Sequence, residues 1–332
     1  MTKDDHDRLI GVDELAKYDG DELYLFVGIS TAGSSVHDAF TLWAPMVSPG
    51  AALRGVDIAE DAEPEVFRRL VRSMRDNPRV AGAVVTSHKL RLYRAVADLL
   101  DSADPFVSIT HEINSLDTRR GRIAAYARDA QSLDIVLDTT GAGEPRPRRP
   151  FTCLGAGGSA IALMLAMGLD VTESLDTGRA VSRRGPAARG ALAIVGRRPE
   201  ALQEISAVRE RAGLTSMALE LVLAGDPQEF TAAANATPVG GVIANATGLG
   251  KLDPGSPVIT ADGFAPDTLA WDFNYRGPLT FLQQARAAGV PAVDGWDYFV
   301  AGWAAALSAI TDRALTAEAY DQFRDASQPL RP

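Results

Sequence analysis

A glycine-rich turn between two apolar segments constrains the fold of this chain most strongly. An apolar run begins at Phe151 and ends in Gly155, Gly157 and Gly158, and a second apolar run resumes at Ala160. This pattern is typical of a strand, a tight turn and a helix that hold the pyrophosphate of a dinucleotide. The preceding chain, roughly 150 residues, is long enough for a domain of its own. We therefore expect a substrate-binding domain first and a nucleotide-binding domain second.

The composition is that of a globular protein. A length of 332 residues predicts two domains, and the 46% hydrophobic and 23% charged fractions are ordinary for globular chains. A formal net charge of -10 argues against nucleic-acid and membrane partners, since both require basic surfaces. The charged start of the chain and the lack of a long apolar run predict no signal peptide and no membrane span. Cys153 is the single cysteine, so we expect a buried thiol in a cytoplasmic protein.

Alternating strand and helix patterns predict an α/β fold in both domains. Before the glycine turn we expect strands over 23–30, 52–58 and 80–86, helices over 36–46, 64–75, 90–100 and 130–137, and a hairpin of 113–116 with 123–126. After it we expect strands over 191–195, 242–246 and 269–273, and helices over 200–211, 279–288 and 298–310. This alternation favours mostly parallel sheets with right-handed crossovers.

Two irregular segments interrupt the pattern. The stretch 141–150 is rich in proline and glycine and predicts a linker between a substrate domain, 1–140, and a Rossmann-type domain, 151–297. The closing helices, about 298–328, would pack back on the first domain. An arginine-rich connection over 170–189 exceeds the usual helix-to-strand length of about 2 to 6 residues. It is either a solvated insertion or a lid on the cofactor side.

The glycine turn and the strand after it indicate which nucleotide is bound. The first glycine makes the turn, the second lets the backbone approach the pyrophosphate, and the third small residue lets helix and sheet pack. The expected turn contacts are Gly155, Ala156, Gly157, Gly158 and Ser159. The next strand ends at Arg197 and Arg198, without an acidic residue. Arginines suit the 2′-phosphate of NADP, whereas an acid would hold the ribose of NAD. NADP is favoured over NAD, unless both arginines are merely solvated.

Short motifs along nearly the whole chain resemble the shikimate/quinate dehydrogenase family. Ala83-Val-Val-Thr-Ser-His-Lys89 is similar to the family's catalytic Asn-Val-Thr-x-Pro-x-Lys, Ile113-Asn-Ser-Leu116 to its Val-Asn-Thr-Leu, and Ala125-Tyr-Ala-Arg-Asp-Ala130 to its Gly-x-Asn-Thr-Asp-Gly. Asn245-Ala-Thr247, Asp272-Phe-Asn-Tyr275 and Asp294-Gly295 resemble three later family segments in the same order. The common order of these motifs carries the resemblance.

The resemblance implies an NAD(P)-dependent dehydrogenase with a cleft between two domains, acting on the CH-OH group of a small cyclic substrate. Lys89 and Asp129 match the catalytic lysine and aspartate. A lysine beside a carboxylate can donate a proton or stabilise an alkoxide, so these residue types suit the chemistry. The implied substrate contacts are Ser34, Ser35, Thr86, Asn114, Arg128, Tyr275 and Tyr298. The implied cofactor contacts beyond the turn are Arg197, Arg198, Asn245, Ala246, Thr247 and Gly295. A monomer or homodimer is expected.

Several positions depart from the family pattern. Ala83, Val85, Arg128 and Gly302 replace polar residues that contact ring hydroxyls or the carboxylate, and Ser34 and Ser35 stand in a shortened Ser-x-Ser segment. Because a site built to pair polar groups rejects analogues that lack them, we expect a carboxylated substrate with fewer hydroxyls than shikimate. Arg128 would serve as another anion anchor or pair with Asp129.

Other functions stay open at this point. They are an authentic shikimate or quinate dehydrogenase, an NADP-binding regulatory protein with a decayed site, and a non-redox enzyme such as a dehydratase. The four histidines, His6, His37, His88 and His111, show no metal-ligand spacing, so no metal is expected. Among them, we expect His88 alone to face the cleft.

Overall fold

The computed structural model describes residues 8–139, 149–183, 189–250 and 253–332. Its contacts divide the chain into two compact units. Unit 1 contains the chain up to Arg128 together with Gly302–Arg331, and unit 2 contains Asp129–Ala301. The predicted linker, 141–150, lies outside the described residues apart from its last two positions, so the predicted domain limits stay predictions.

Unit 1 begins as an alternation of strands and helices around a six-stranded sheet. Its elements are β1 Leu23–Gly28, α1 Val36–Val47, β2 Ala52–Asp57, α2 Pro64–Asp76, β3 Val80–Val85, α3 Lys89–Val96, β4 Ser102–Ala103, α4 Pro105–Thr110, β5 Ser115–Asp117 and β6 Ala124–Tyr126. The strand order is β2-β1-β3-β5-β6-β4. Strands β1, β2 and β3 are parallel, whereas β5 runs antiparallel to both β3 and β6. The predicted hairpin is thereby confirmed.

Unit 2 is a second six-stranded sheet with helices between its strands. Its elements are α5 Asp129–Thr139, β7 Phe151–Leu154, α6 Gly158–Gly168, α7 Val171–Thr177, β8 Leu192–Gly196, α8 Pro199–Arg211, β9 Leu219–Leu223, α9 Pro227–Asn235, β10 Val242–Asn245, β11 Leu269–Asp272, α10 Thr280–Ala287, β12 Ala292–Val293 and the start of α11 Trp296–Ile310. The order is β12-β11-β10-β7-β8-β9 and all pairs are parallel. This is the strand order of the Rossmann fold, so the predicted fold class is confirmed.

The end of the chain completes unit 1. The later part of α11 and helix α12, Ala317–Ser327, belong to it. Trp43 of α1 is fully buried, and its indole N–H donates to the carbonyl oxygen of Phe323 at 3.1 Å. Its ring also packs against Trp303 at a centroid distance of 6.3 Å. These aromatic contacts join the closing helices to the first half of the unit.

Within the connection 170–189, the structure forms α7, with Asp170 capping its first turn and Gly178 ending it at φ +69°. Arg183 and Arg189 are largely buried and form ion pairs with Asp134 of α5. These two arginines are therefore not solvated, whereas much of α7 and Arg179 are exposed. The choice between a solvated insertion and a lid stays a prediction. Across the described ranges, none of the helices combines the length and the apolar character needed to cross a bilayer.

Candidate functional site

The glycine turn lies where the strand order of unit 2 reverses. Strand β7 pairs with β8 on one side and with β10 on the other. Gly155 adopts φ +117°, and a Cβ there would lie 2.6 Å from the main-chain carbonyl of Ala246, which follows β10. Only glycine fits both the positive φ and this close approach. Ligands of open α/β sheets bind at such switch points, beyond the carboxyl ends of the strands.

The next glycine faces open space. Gly157 precedes α6, and a Cβ added to it would meet no atom within 4 Å. The first amide groups of a helix have no acceptor within the helix, and they favour an anion. Helix α6 is held rigidly, because every residue from Ala160 to Gly168 is buried. The turn, with Ala156, Gly158 and Ser159 around Gly157, therefore fits a pyrophosphate group.

Two exposed arginines follow the neighbouring strand. A Cβ on Gly196, the last residue of β8, would lie 2.6 Å from the Cβ of Ala156, so this strand end abuts the glycine turn. Arg197 and Arg198 come directly after it and are exposed. Arg198 is the residue before α8 and makes no side-chain cap of that helix. Both residues thus lie exposed at the strand end beside which a cofactor ribose would bind.

A buried polar network supports the loop after β10. The side-chain oxygen of Asn245 accepts from the N–H (3.1 Å) and the hydroxyl (2.7 Å) of Thr247, and its amide donates to Asp272 (3.1 Å). The amide of Asn274 holds the carbonyl of Leu249 at 3.1 Å. Burial raises the pKa of the Asp272 carboxyl to about 6, although hydrogen bonds from Asn274 and Asn245 oppose the shift. Asn245, Ala246 and Thr247 therefore form a fixed loop beside the glycine turn.

The aromatic candidates of unit 2 are packed side chains. Tyr275 is 8% exposed, and its ring lies 5.3 Å from that of Trp296 and 4.6 Å from that of Phe299. The ring of Tyr298 lies 5.1 Å from that of Phe273. Position 295 requires a glycine, because a Cβ there would overlap the carbonyl oxygen of Phe273. The substrate contacts predicted for both tyrosines stay predictions.

In unit 1, the strand ends bring three candidate residues to one edge of the sheet. Thr86 follows β3, is exposed, and donates its N–H to the carbonyl of Val27 in β1 at 3.1 Å. Lys89 begins α3, and its carbonyl accepts the N–H of Ile113 at 3.2 Å. The carbonyl of Asn114 accepts the N–H of Val85 at 2.7 Å. The structure therefore places Thr86, Lys89 and Asn114 at the carboxyl ends of β1 and β3.

Arg128 has a partner that the sequence did not suggest. Its Nε lies 3.1 Å from Asp104, whose side chain is 5% exposed, and its guanidinium lies 5.2 Å from the centre of the Tyr126 ring. Burial raises the pKa of the Asp104 carboxyl, while Arg128 and the backbone amides around it oppose the shift. The N–H of Arg128 also donates to the side chain of Asn114 at 3.0 Å. This places Arg128 beside Asn114, and its role as an anion anchor stays a prediction.

Ser34 and Ser35 lie at the start of α1. The Ser34 hydroxyl accepts the N–H of Val36 at 3.4 Å, and Ser35 precedes the first helical residue without capping it. Next to them is a pair that the sequence analysis missed. The buried Thr31 donates its hydroxyl (2.6 Å) and its N–H (2.8 Å) to Asp57 at the end of β2. An acidic residue near the end of a predicted parallel strand was the available signal.

The prediction that His88 faces a cleft is wrong. His88 is 1% exposed, its Nε2 lies 2.9 Å from the carbonyl oxygen of Ile58, and its ring packs on Phe67. His37 is also buried, with Nε2 3.1 Å from the carbonyl oxygen of Thr31. Nowhere in the described part of the chain do three His, Cys, Asp or Glu side chains cluster in a way that could hold a metal ion.

Asp129 is the first residue of α5 in unit 2. Its carbonyl accepts the hydroxyl of Ser132 at 2.7 Å. Helix α5 lies against α6, which begins at the glycine turn. Unit 2 therefore brings the helix of the candidate aspartate and the candidate cofactor site into one packed body.

Comparison with solved structures finds the same fold in dehydrogenases. Shikimate 5-dehydrogenase from Listeria monocytogenes, in complex with shikimate and NAD, is 16% identical over 92% of this chain and 96% of its own, with a TM-score of 0.65. The enzyme from Thermus thermophilus, in complex with NADP(H) and shikimate, is 22% identical over 92% and 99%, with a TM-score of 0.63. Quinate dehydrogenase from Corynebacterium glutamicum, in complex with NAD, is 16% identical over 92% and 100%, with a TM-score of 0.66.

These likenesses extend over nearly all of each chain. No protein-family model and no curated protein sequence matches the chain. At these identities the likeness shows the fold, which is the two-domain α/β fold of the shikimate and quinate dehydrogenases. The resemblance inferred from the motifs is confirmed at the level of the fold.

Proposed function

We propose that this protein is an NADP-dependent oxidoreductase that interconverts a secondary alcohol and a ketone on a small cyclic, carboxylated substrate. The observation that carries this proposal is the glycine turn at the switch point of a Rossmann sheet, with Arg197 and Arg198 exposed beside it. The likeness of the fold to dehydrogenases described in complex with NADP(H), NAD and shikimate supports it.

The cofactor residues have distinct roles in this proposal. The amide groups around Gly157 and Ser159 bind the pyrophosphate, as helix N-termini do. Arg197 and Arg198 bind the 2′-phosphate through charge-assisted hydrogen bonds, which a ribose hydroxyl cannot match. The loop of Asn245, Ala246 and Thr247, together with Gly295, supports the nicotinamide end. When bound, the cofactor supplies or accepts the hydride.

Lys89 and Asp129 are the proposed catalytic residues. During reduction, the ammonium group of Lys89 donates a proton to the alkoxide oxygen and becomes a neutral amine. During oxidation, the neutral amine accepts the proton of the substrate hydroxyl. As a cation, Lys89 also stabilises negative charge that develops on that oxygen. Asp129 orients this ammonium group, and Asn114 and Thr86 offer hydrogen bonds to a substrate oxygen. Ser34, Ser35 and Arg128 are the proposed contacts of the carboxylate.

The substrate is proposed to carry fewer hydroxyls than shikimate. Ile29 directly follows β1 and is 45% exposed, at the same sheet edge as Thr86 and Lys89. Ala83 and Val85 in the neighbouring strand β3 are buried and offer no hydrogen-bonding side chain. An apolar side chain that faces the solvent at a binding edge favours a substrate with a matching apolar part. The ring is therefore expected to be carboxylated at one end and poorly hydroxylated at the other.

A screen of NADP+ reduction over cyclic hydroxy acids tests the function. Absorbance at the NADPH wavelength is followed with shikimate, quinate and less hydroxylated ring acids, and each active compound is repeated with NAD+. We expect turnover of a less hydroxylated ring acid and little with shikimate or quinate. Efficient turnover of shikimate would refute the altered pocket. Tight NADP binding without turnover of any compound would favour the regulatory alternative, and no NADP binding would favour a non-redox enzyme.

A further inference from the structure

A buried ion-pair cluster joins the helix of Asp129 to the helix of the glycine turn. Asp134 of α5 is 14% exposed and pairs with both Arg183 and Arg189, whose side chains are 13% and 12% exposed. Arg189 also lies 2.7 Å from Asp138, which is 61% exposed. We call Arg183, Asp134 and Arg189 the clamp. Its two cations come from the connection that the sequence left without a role.

The clamp is anchored to the end of α6. The N–H of Arg183 donates to the carbonyl of Gly168 at 2.9 Å, and its Nε donates to the carbonyl of Ala166 at 3.3 Å. The N–H of Asp170 donates to the carbonyl of Val181 at 2.8 Å, and this bond folds the connection back on itself. The last carbonyl groups of a helix have no partner within it, and Arg183 satisfies two of them, one through its main-chain N–H and one through the side chain that holds Asp134. One side chain therefore contacts both α5 and α6.

The charges of the clamp favour a single arrangement of α5 relative to α6. Burial raises the pKa of the Asp134 carboxyl, and the charges of Arg183 and Arg189 oppose that shift. A buried ion pair adds little to stability compared with an apolar pair, yet losing one partner is costly because a buried charge is left unpaired. Sliding or rotation of α5 against α6 would separate Asp134 from Arg183, which is bonded to the end of α6. The clamp therefore fixes the register of the two helices.

We propose that Asp134, Arg183 and Arg189 are positioning residues that set Asp129 relative to the glycine turn. Asp129 begins α5 and Asp134 lies five positions later, about 7.5 Å along the helix axis. Gly158 begins α6, and the clamp contacts the last turn of the same helix at Ala166 and Gly168. Displacing a reacting group by about 1 Å can lower a rate by about a hundredfold. This inference rests on the proposed role of Asp129, but the structural coupling can be measured without it.

The test compares Asp134→Asn with Asp138→Asn, the same chemical change on the same helix at an exposed position. Asp134→Asn leaves two guanidinium groups without their buried anion. We expect it to lower kcat by about 10- to 100-fold and to change the Kd of NADP+ by less than about threefold. Asp138→Asn should leave both unchanged. Arg183→Gln keeps Asp134 paired with Arg189, so it should lower kcat less than Asp134→Asn does. Arg183→Lys keeps the positive charge and should lower kcat less than Arg183→Gln.

Amide hydrogen exchange separates this proposal from the proposed function. In Asp134→Asn we expect amides 133–137 of α5, which lie beyond its first turn, to exchange at least about tenfold faster, while amides 162–166 of α6 stay protected. A folded Asp134→Asn protein with unchanged exchange and unchanged kcat overturns the proposal. If Asp134→Asn does not fold, unchanged exchange and kcat in Arg183→Gln overturn it. If the unmodified protein turns over no compound, the proposed function fails and the exchange result alone decides on the clamp.

Discussion

Two alanine substitutions in the glycine turn separate folding from cofactor binding. Gly155 adopts φ +117°, and a Cβ there would lie 2.6 Å from the carbonyl carbon and oxygen of Ala246 and 2.9 Å from the amide nitrogen of Thr247. Gly157 adopts φ −99°, and its Cβ would meet no atom within 4 Å. The same added methyl group is therefore strained at one position and tolerated at the other.

The expected magnitudes follow from these geometries. For Gly155→Ala, the left-handed backbone costs about 1 to 2 kcal/mol and overlap with main-chain atoms costs about 1 to 3 kcal/mol more. Together they predict about 3 kcal/mol, or a Tm lower by roughly 10 °C. For Gly157→Ala, the residue before the helix becomes less favourable by about 1 kcal/mol at most. Its methyl group occupies the space in which the pyrophosphate approaches, so the Kd of NADP+ should rise by about 10- to 100-fold.

Thermal unfolding followed by circular dichroism and calorimetric titration with NADP+ measure both effects on the same preparations. We expect Gly155→Ala to lose stability and Gly157→Ala to lose affinity while it keeps its fold. A Gly155→Ala protein as stable as the unmodified one would contradict the described turn. A Gly157→Ala protein that binds NADP+ unchanged would refute the placement of the pyrophosphate there.

Three further experiments test charged side chains. Replacing Arg197 and Arg198 by serine should raise the Kd of NADP+ by about tenfold or more, with NAD+ binding unchanged. Asp272→Asn removes a carboxyl whose pKa is raised from 3.8 to about 6, a difference worth about 3 kcal/mol. Because the raised pKa favours the protonated form, the unmodified protein should lose about this much stability relative to Asp272→Asn between pH 4 and pH 7. Arg128→Met should destabilise by about 3 to 5 kcal/mol, and adding Asp104→Asn should restore most of it.

Each of these measurements has a contradicting outcome. Equal loss of NADP+ and NAD+ binding would show that the arginines do not contact the 2′-phosphate. If the free energies of unfolding of Asp272→Asn and of the unmodified protein change in parallel between pH 4 and pH 7, the pKa of the Asp272 carboxyl is not raised by burial. If Arg128→Met is as stable as the unmodified protein by urea unfolding, its pairing with Asp104 is unimportant.

The regular elements were predictable where apolar periodicity is strong. Strand β1, buried at every position, and α2, with Phe67, Leu70, Val71 and Met74 buried on one face, lie close to where the sequence placed them. Strand β9 was missed because only one side of an edge strand is covered, so Leu219–Leu223 shows neither a full apolar run nor clean alternation. Helix α7 has seven residues, too few for helical periodicity to show.

The site was predictable as far as local motifs define it. The glycine turn needs only a strand, a turn and a helix in sequence, so Gly155 and Gly157 were identifiable. The partners of Arg128 and Arg183 were not, because Asp104 and Asp134 are brought to them by the fold and carry no local signal. His88 shows the same limit, since its position next to Lys89 says nothing about the direction in which the ring points.

The most direct test of the proposed chemistry is the rate of NADP+ reduction by Lys89→Met, measured with the substrate that the screen identifies. Lys17→Met, at an exposed position, is the matched control. We expect Lys89→Met to lower kcat/KM by about a hundredfold or more, with the Kd of NADP+ and the Tm unchanged, and Lys17→Met to behave as the unmodified protein. Full turnover by a folded Lys89→Met protein would contradict the proposed role of Lys89 in proton transfer.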